Sequence, residues 1–338
     1  MDVSEKYPNL PQARGELTAA LIEYLTGSGP LPGPGCAESC DPYGNDLQLA
    51  LYVCYELHYR GFAEVDPKSE WDPELLKVRA DLEDHFLDAL RADVPHSDDL
   101  ESALANILVE PIHGCGVSYF LQDDGELWHL REYAMQRSLY HLKEADPHAW
   151  VLPRLRGRAK AGMAAVEFDE YGGGRAERIH AQLFADLMTD LHLNAAYGHY
   201  LDEGSAEMLA LVNLMSLCGL HRRLRGALVG HFAAVEVTSS PASRRMARAM
   251  KRTQAGPAAE FFYTEHVEAD AVHEQVVRHD VIGGLLADEP QLEADVAFGI
   301  RATEHLEELL GNRFLNAWQA GVTSLHRTPT SRTPSCSA

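Results

Sequence analysis

The chain lacks the close cysteine pairs from which structural zinc sites are usually built. Its six cysteines (Cys36, Cys40, Cys54, Cys115, Cys218, Cys336) are scattered. Only Cys36 and Cys40 lie near each other, beside a Gly/Pro-rich loop and without histidine partners, so no ligand role is read into them. Missing too are a long apolar run and an N-terminal basic-plus-apolar segment. No membrane span or export signal is therefore expected, and the protein is expected to be soluble and cytoplasmic with reduced thiols. Positive charge is scarce: 29 Lys plus Arg face 51 Asp plus Glu, a formal net charge of −22. That balance argues against nucleic acid or an anionic membrane as a partner. No alternating β-branched stretch of any length occurs, which leaves an all-α fold.

What is present is helical periodicity broken by clear punctuation. Helical patterns cover 13–25, 45–60, 73–92, 100–109, 127–145, a segment ending near 193, 206–217, 242–251, 258–285 and 290–319. The Gly-Ser-Gly-Pro-Leu-Pro-Gly-Pro-Gly run at 27–35 excludes helix and strand alike. Residues 1–40 are read as an N-terminal helix with a Gly/Pro-rich loop, 41–326 as one helical domain, and the Ser/Thr/Pro-rich 327–338 as a disordered tail.

Within this framework His266, Asp270 and His273 stand at i, i+4 and i+7. On a helix they fall within roughly 60° of arc, so two imidazoles and a carboxylate converge. Glu177 and His180 form an E-x-x-H pair with Glu170 two turns upstream, and Asp270 and His273 form a D-x-x-H pair. Paired motifs of this kind on facing helices are how helical proteins build dinuclear sites, and carboxylate with imidazole suits iron or manganese. A further carboxylate has two competing sources. Glu144 lies in the last turn of a run stopped by Pro147, whereas Glu56 lies among Tyr52, Val53, Tyr55, Leu57 and Tyr59. Sequential helices usually pack side by side, which favours Glu144; Glu56, if buried, must meet a cation.

Taken together, these residues resemble the heme-oxygenase-like di-iron oxidases and oxygenases, also called iron-containing redox enzymes. That family carries a Glu on its first core helix, Glu-x-x-His on its second and His-x-x-x-Asp-x-x-His on its third. Glu144, Glu177 with His180, and His266 with Asp270 and His273 match in turn. The strings Glu170-Tyr171-Gly172-Gly173-Gly174 and His180-Ala181-Gln182-Leu183-Phe184 also look like the family's second core helix. The resemblance implies a heme-oxygenase-like helical bundle with extra N-terminal helices, two Fe(II) ions and O2 as co-substrate. Glu170 matches the extra carboxylate of N-oxygenating members and is the candidate catalytic residue. Four carboxylates (Glu144, Glu170, Glu177, Asp270) would neutralise two Fe(II) ions.

The activity this implies is N-oxygenation of a small amine or amino acid through an activated dioxygen species. An external electron donor and a second copy of the chain are further partners the reading allows. Glu167, Asp169 and His141 are candidates to take the amine's proton. Arg154, Arg156, Arg158 and Lys160 form a basic cluster that could clamp a substrate carboxylate, while Arg244, Arg245, Arg248, Lys251 and Arg252 form a second cluster with no assigned role. The alternatives are desaturation, decarboxylation or C–C cleavage by the same centre, and a ferritin-like iron-binding protein. A ferritin-like ligand set would not require His266.

Overall fold

The structure, a computed structural model, describes residues 7–94, 99–109 and 114–328, without the side chains of Glu268, Asp270 and Ala271. The helices are α1 (Glu16–Leu25), α2 (Asn45–Glu56), α3 (Pro73–Asp93), α4 (Leu100–Leu108), α5 (Val117–Asp123), α6 (Leu127–His141) and α7 (Asp146–Ala149). They continue with α8 (Gly157–Glu170), α9 (His180–Asp190), α10 (Ala206–Leu220), α11 (Arg225–Arg252), α12 (Pro257–Val276), α13 (Gly283–Asp288) and α14 (Glu293–Gln319). Among the described residues there is no strand, so the all-α expectation holds. No described helix is long and apolar enough to cross a membrane.

Local chemistry sets the boundaries. Before α3, Asp72 accepts a hydrogen bond from the Glu74 amide and Pro73 occupies the first turn, both favourable at a helix start. The Ser205 hydroxyl caps α10 by accepting from the Met208 amide at 3.2 Å. Nearly every residue of α10 is buried, as expected of a helix apolar all round. It packs against α2, α6, α7, α11 and α14 and forms the centre of the core. Its one amide side chain, Asn213, donates at 2.8 Å to the Gln48 carbonyl and side-chain oxygens on α2, satisfying its Nδ2 in the dry interior.

Around this centre α11 packs against both α12 and α14. The α11–α14 crossing is close because each helix offers a glycine: a side chain at Gly230 would collide with the Val296 carbonyl, and one at Gly299 with the Ala227 carbonyl. The basic cluster on α11 has a structural use here. Arg252 donates to the Leu121, Gln122 and Gly125 carbonyls, and Arg245 Nε to Ser118 Oγ at 2.9 Å, so the cluster ties α5 and its C-terminal turn to α11.

The first two expected ligand helices end differently. The pattern at 127–145 stops at His141, and 142–145 form a turn in which Ala145 has φ 75°. The expected second ligand helix is split into α8 and α9. Gly172, Gly173 and Gly174 all adopt positive φ (71°, 61° and 80°), a conformation that ends an α-helix and that glycine enters at least cost. The 258–285 pattern is continuous, but its axis passes through a π-helical stretch, Val277–Ile282, between α12 and α13.

Candidate metal centre

Four elements aim side chains at one buried region. The turn after α6 presents Glu144, the last residue of α8 is Glu170, the first of α9 is His180, and α12 carries His266 and His273 two turns apart. Glu144, Glu170, His180 and His266 each offer a ligand atom, and all four atoms lie within 4.8 Å of one another. All four residues are buried. His180 Nδ1 is 2.7 Å from Glu170 Oε2, and His266 Nε2 is 3.9 Å from Glu144 Oε1.

The protonation of His266 follows from its partner. Its Nδ1 lies 2.6 Å from the Phe262 carbonyl oxygen, which can only accept, so Nδ1 carries the proton. Nε2 is then a lone-pair donor, buried and without a hydrogen-bond partner. A backbone carbonyl fixing the distal nitrogen is the usual support of a metal-binding imidazole. The donor set therefore fits a cation, and its oxygen-and-imidazole composition suits iron or manganese.

A second group shares Glu170. Glu170, Glu236 and His273 are buried with ligand atoms within 4.8 Å of one another. His273 Nδ1 is 3.1 Å from Glu236 Oε2 and 3.6 Å from Glu170 Oε1, while its Nε2 is 3.3 Å from Asp169 Oδ2. Glu170 is the one described residue common to both groups.

Of the seven expected ligands, the structure brings together Glu144, Glu170, His180, His266 and His273. The Asp270 side chain lies outside the described residues. Glu177 is placed elsewhere: it is exposed, on the short 3₁₀ turn Ala176–Arg178. The glycine run breaks the helical phase that would have carried Glu177 to the Glu170 face, and Arg178 pairs with Glu265 of α12, pinning this turn at the surface. Glu56 belongs to neither group. It is buried against a cation, with Lys143 Nζ 3.0 Å from its Oε2 and the Tyr197 hydroxyl donating from 2.8 Å. The residue not foreseen is Glu236, on α11. Its sequence signal is the one that singled out Glu56: a lone acid inside an apolar run, Phe232-Ala233-Ala234-Val235-Glu236-Val237.

The electrostatics of the region are those of crowded, desolvated carboxyls. Glu167, one turn before Glu170 on α8, is 2% exposed and neither of its oxygens has a hydrogen-bond partner. Burial first, then the neighbouring Glu170 and Glu236, push its carboxyl up to about 9. Burial likewise raises Glu236, partly offset by His273. His141 is held neutral, its pKa lowered to about 3 by burial and then by Arg137 and His180, and its Nδ1 is 2.9 Å from Glu144 Oε1.

A cavity of about 670 Å³ reaches the four-ligand group. Glu144, Glu170, Glu236 and His266 line it at one end, with Tyr263, Glu304 and Glu307 among its other walls. Arg137 forms a fork on Glu307 at 2.8 and 2.7 Å. The carboxylate clamp expected from 154–160 does not reach this cavity. Arg154 donates to the Leu220 carbonyl, Arg158 pairs with Asp280, and none of the four basic residues lines the wall.

Comparison with known proteins agrees with this geometry. The family model described as iron-containing redox enzyme matches residues 131–308, slightly more than half of the chain and a range holding every residue of both groups. No curated protein matches.

Proposed function

The chain belongs to the iron-containing redox enzyme family, and from that premise we propose that it is a non-heme di-iron oxygenase that uses O2 to oxygenate the nitrogen of a small primary amine or amino acid. The observation that carries the reading is the position of Glu170, buried at the junction of two carboxylate–imidazole groups and open to the cavity. Glu144, Glu170, His180 and His266 would hold one ion, and Glu170 with His273 a second. Bound there, two Fe(II) ions would supply electrons to dioxygen.

The chain's own groups account for the rest. The cavity wall is acidic, with Glu304, Glu307 and Glu308 besides the centre, and one carboxylate, Glu307, is forked to Arg137. Such a wall favours a cationic ammonium over an anion. An alkylammonium titrates near 10.4 in water, yet nitrogen reacts through its lone pair, so a proton must leave on binding. Burial raises the carboxyl of Glu304, which makes it a stronger proton acceptor on that wall. Tyr263 also lines the cavity, buried and with a hydroxyl lacking a hydrogen-bond partner, and so offers a donor to a polar substrate atom.

A second outcome, oxidation at carbon by desaturation, decarboxylation or C–C cleavage, is favoured by the apolar part of the wall: Met215, Phe232, Met246 and Phe262. Anaerobic loading with Fe(II), addition of ¹⁸O2 and mass analysis of a panel of amines and amino acids separates the two. Product that keeps its carbon skeleton and gains labelled oxygen on nitrogen supports the proposal. Loss of two hydrogens or of CO2 without oxygen on nitrogen would replace it with the second outcome.

A further inference from the structure

We propose that Glu307 of α14, held by Arg137 of α6, receives a second cationic nitrogen of the substrate, so that the molecule oxidised is a diamine or an amino acid with a basic side chain. The inference deepens the amine-oxygenating reading above and rests on it.

The pair is built into the cavity wall and left incomplete. Both residues line the cavity, and Glu307 keeps 38% of its side-chain surface accessible against 15% for Arg137. The two Nη atoms of Arg137 fork onto the two oxygens of Glu307 at 2.8 and 2.7 Å, and the guanidinium lies 5.3 Å over the Tyr133 ring, which fixes the carboxylate in one orientation. A carboxylate offers about four lone-pair positions, so the fork leaves acceptor capacity unused. Arg137 Nε is buried with no hydrogen-bond partner. A desolvated ion pair with a polar atom unsatisfied contributes little to stability, so the arrangement is better accounted for by a ligand that Glu307 still has room to accept. Burial works to raise the Glu307 carboxyl, yet Arg137 holds it below the ordinary range, and it stays ionised at neutral pH.

The sign of the ligand follows from the neighbours. Glu304 and Glu308 line the same wall from α14. An anion would have to displace Glu307 from Arg137 beside two further acids, whereas a cation meets an accessible, oriented carboxylate and leaves the fork in place. The reach fits a molecule with a nitrogen at each end. His141, one turn after Arg137, has its Nδ1 2.9 Å from Glu144 Oε1 and lies within electrostatic reach of Arg137 and Glu307, so one imidazole links the fork to the metal centre. In a cavity of about 670 Å³ one nitrogen can sit at the centre while the other takes Glu307.

The test is anaerobic calorimetric titration of the Fe(II)-loaded full chain with straight-chain diamines from 1,3-diaminopropane to 1,6-diaminohexane, each beside the monoamine of equal length. At the best length the diamine is expected to bind about tenfold more tightly or better, as a charge-assisted hydrogen bond to a fixed carboxylate gives. Glu307→Gln is expected to abolish that ratio while the monoamine still binds; a role in packing alone would weaken both amines alike. Because Glu307→Gln leaves Arg137 unpaired in the interior, Arg137→Met with Glu307→Gln serves as a second variant, expected to fold and to lose the same preference. A diamine preference that is absent from wild type, or that persists in either variant, would overturn the inference. Tighter binding of 6-aminohexanoate than of the best diamine would also overturn it, since Arg137 would then be the receiving group. Addition of ¹⁸O2 separates this inference from the reading beneath it. Labelled oxygen on the nitrogen of monoamines as readily as of diamines would keep N-oxygenation and overturn the inference, whereas a Glu307-dependent diamine preference with oxygen only on carbon would support the binding site and overturn N-oxygenation.

Discussion

Replacing Lys143 by methionine should destabilise the protein far more than an average substitution, and the structure says why. The Lys143 ammonium is 1% exposed, 3.0 Å from a Glu56 carboxylate that is equally buried. It also sits 4.6 and 4.4 Å above the rings of Tyr52 and Tyr59. Methionine keeps most of the stem and removes the charge, leaving Glu56 with the Tyr197 and Tyr52 hydroxyls and a longer contact from the Arg60 amide. Breaking one side of a buried pair costs about 3–5 kcal/mol, because the other charge remains in the interior. Removing both charges costs much less, so Lys143→Met with Glu56→Gln should recover to within about 1–2 kcal/mol of wild type. Urea unfolding of the metal-free chain, followed by circular dichroism and tryptophan fluorescence, measures both. A single-variant loss below about 1 kcal/mol, or a double variant no better than the single, would refute the reasoning. The pair also anchors the residue just before Glu144, in the turn that Ala145 closes at φ 75°, so Lys143→Met should weaken metal binding as well.

Further expectations concern the centre itself. Glu167 has a folded pKa of about 9 against an unfolded value near 4.5, so between these limits the folded chain holds a proton the unfolded chain has lost. Its stabilising contribution is complete below about 4.5 and falls away as pH rises toward 9; from pH 7 to 8.5 the metal-free protein should lose about 2 kcal/mol. Unfolding midpoints that stay level or climb from pH 7 to 8.5 would contradict the assignment of Glu167 as a protonated acid, and Glu167→Gln should flatten the dependence. Glu170→Ala, which removes the residue shared by both groups, should lower the count of bound ions and abolish amine oxidation; normal turnover by this variant would sink the N-oxygenase proposal. Glu177→Ala should leave the ion count unchanged, given its exposed position, and loss of an ion would mean that 171–179 rewinds into helix around the metal. His266→Ala should lose an ion, which a ferritin-like site that does not use this residue would retain.

Much of this was legible in the sequence. The absence of alternating strands and the periodic helices led to an all-α fold, and the i, i+4, i+7 spacing placed His266 and His273 on one side of α12, because periodicity alone fixes azimuth on an unbroken helix. Glu144 over Glu56 followed from chain adjacency, and the requirement that a buried Glu56 meet a cation was met by Lys143. Two features were not legible. Spacing can assign Glu177 to a ligand face only if the helix continues, and whether three glycines interrupt it depends on tertiary contacts such as Arg178 with Glu265. Glu236 has no partner at helical spacing; only the packing of α11 against α12 brings it to His273. The basic cluster at 154–160 could equally be a carboxylate clamp or a solvated face in the sequence, since local charge density says nothing of which way a segment faces.

The central claim is that these carboxylates and imidazoles converge on two ions, and an anaerobic Fe(II) titration of the metal-free chain, followed by mixing with O2, tests it most directly. Two ions per chain and a transient visible absorption that appears only with O2 are the predicted result. One ion or none, or two ions that oxidise with no transient and no amine product, would contradict the account.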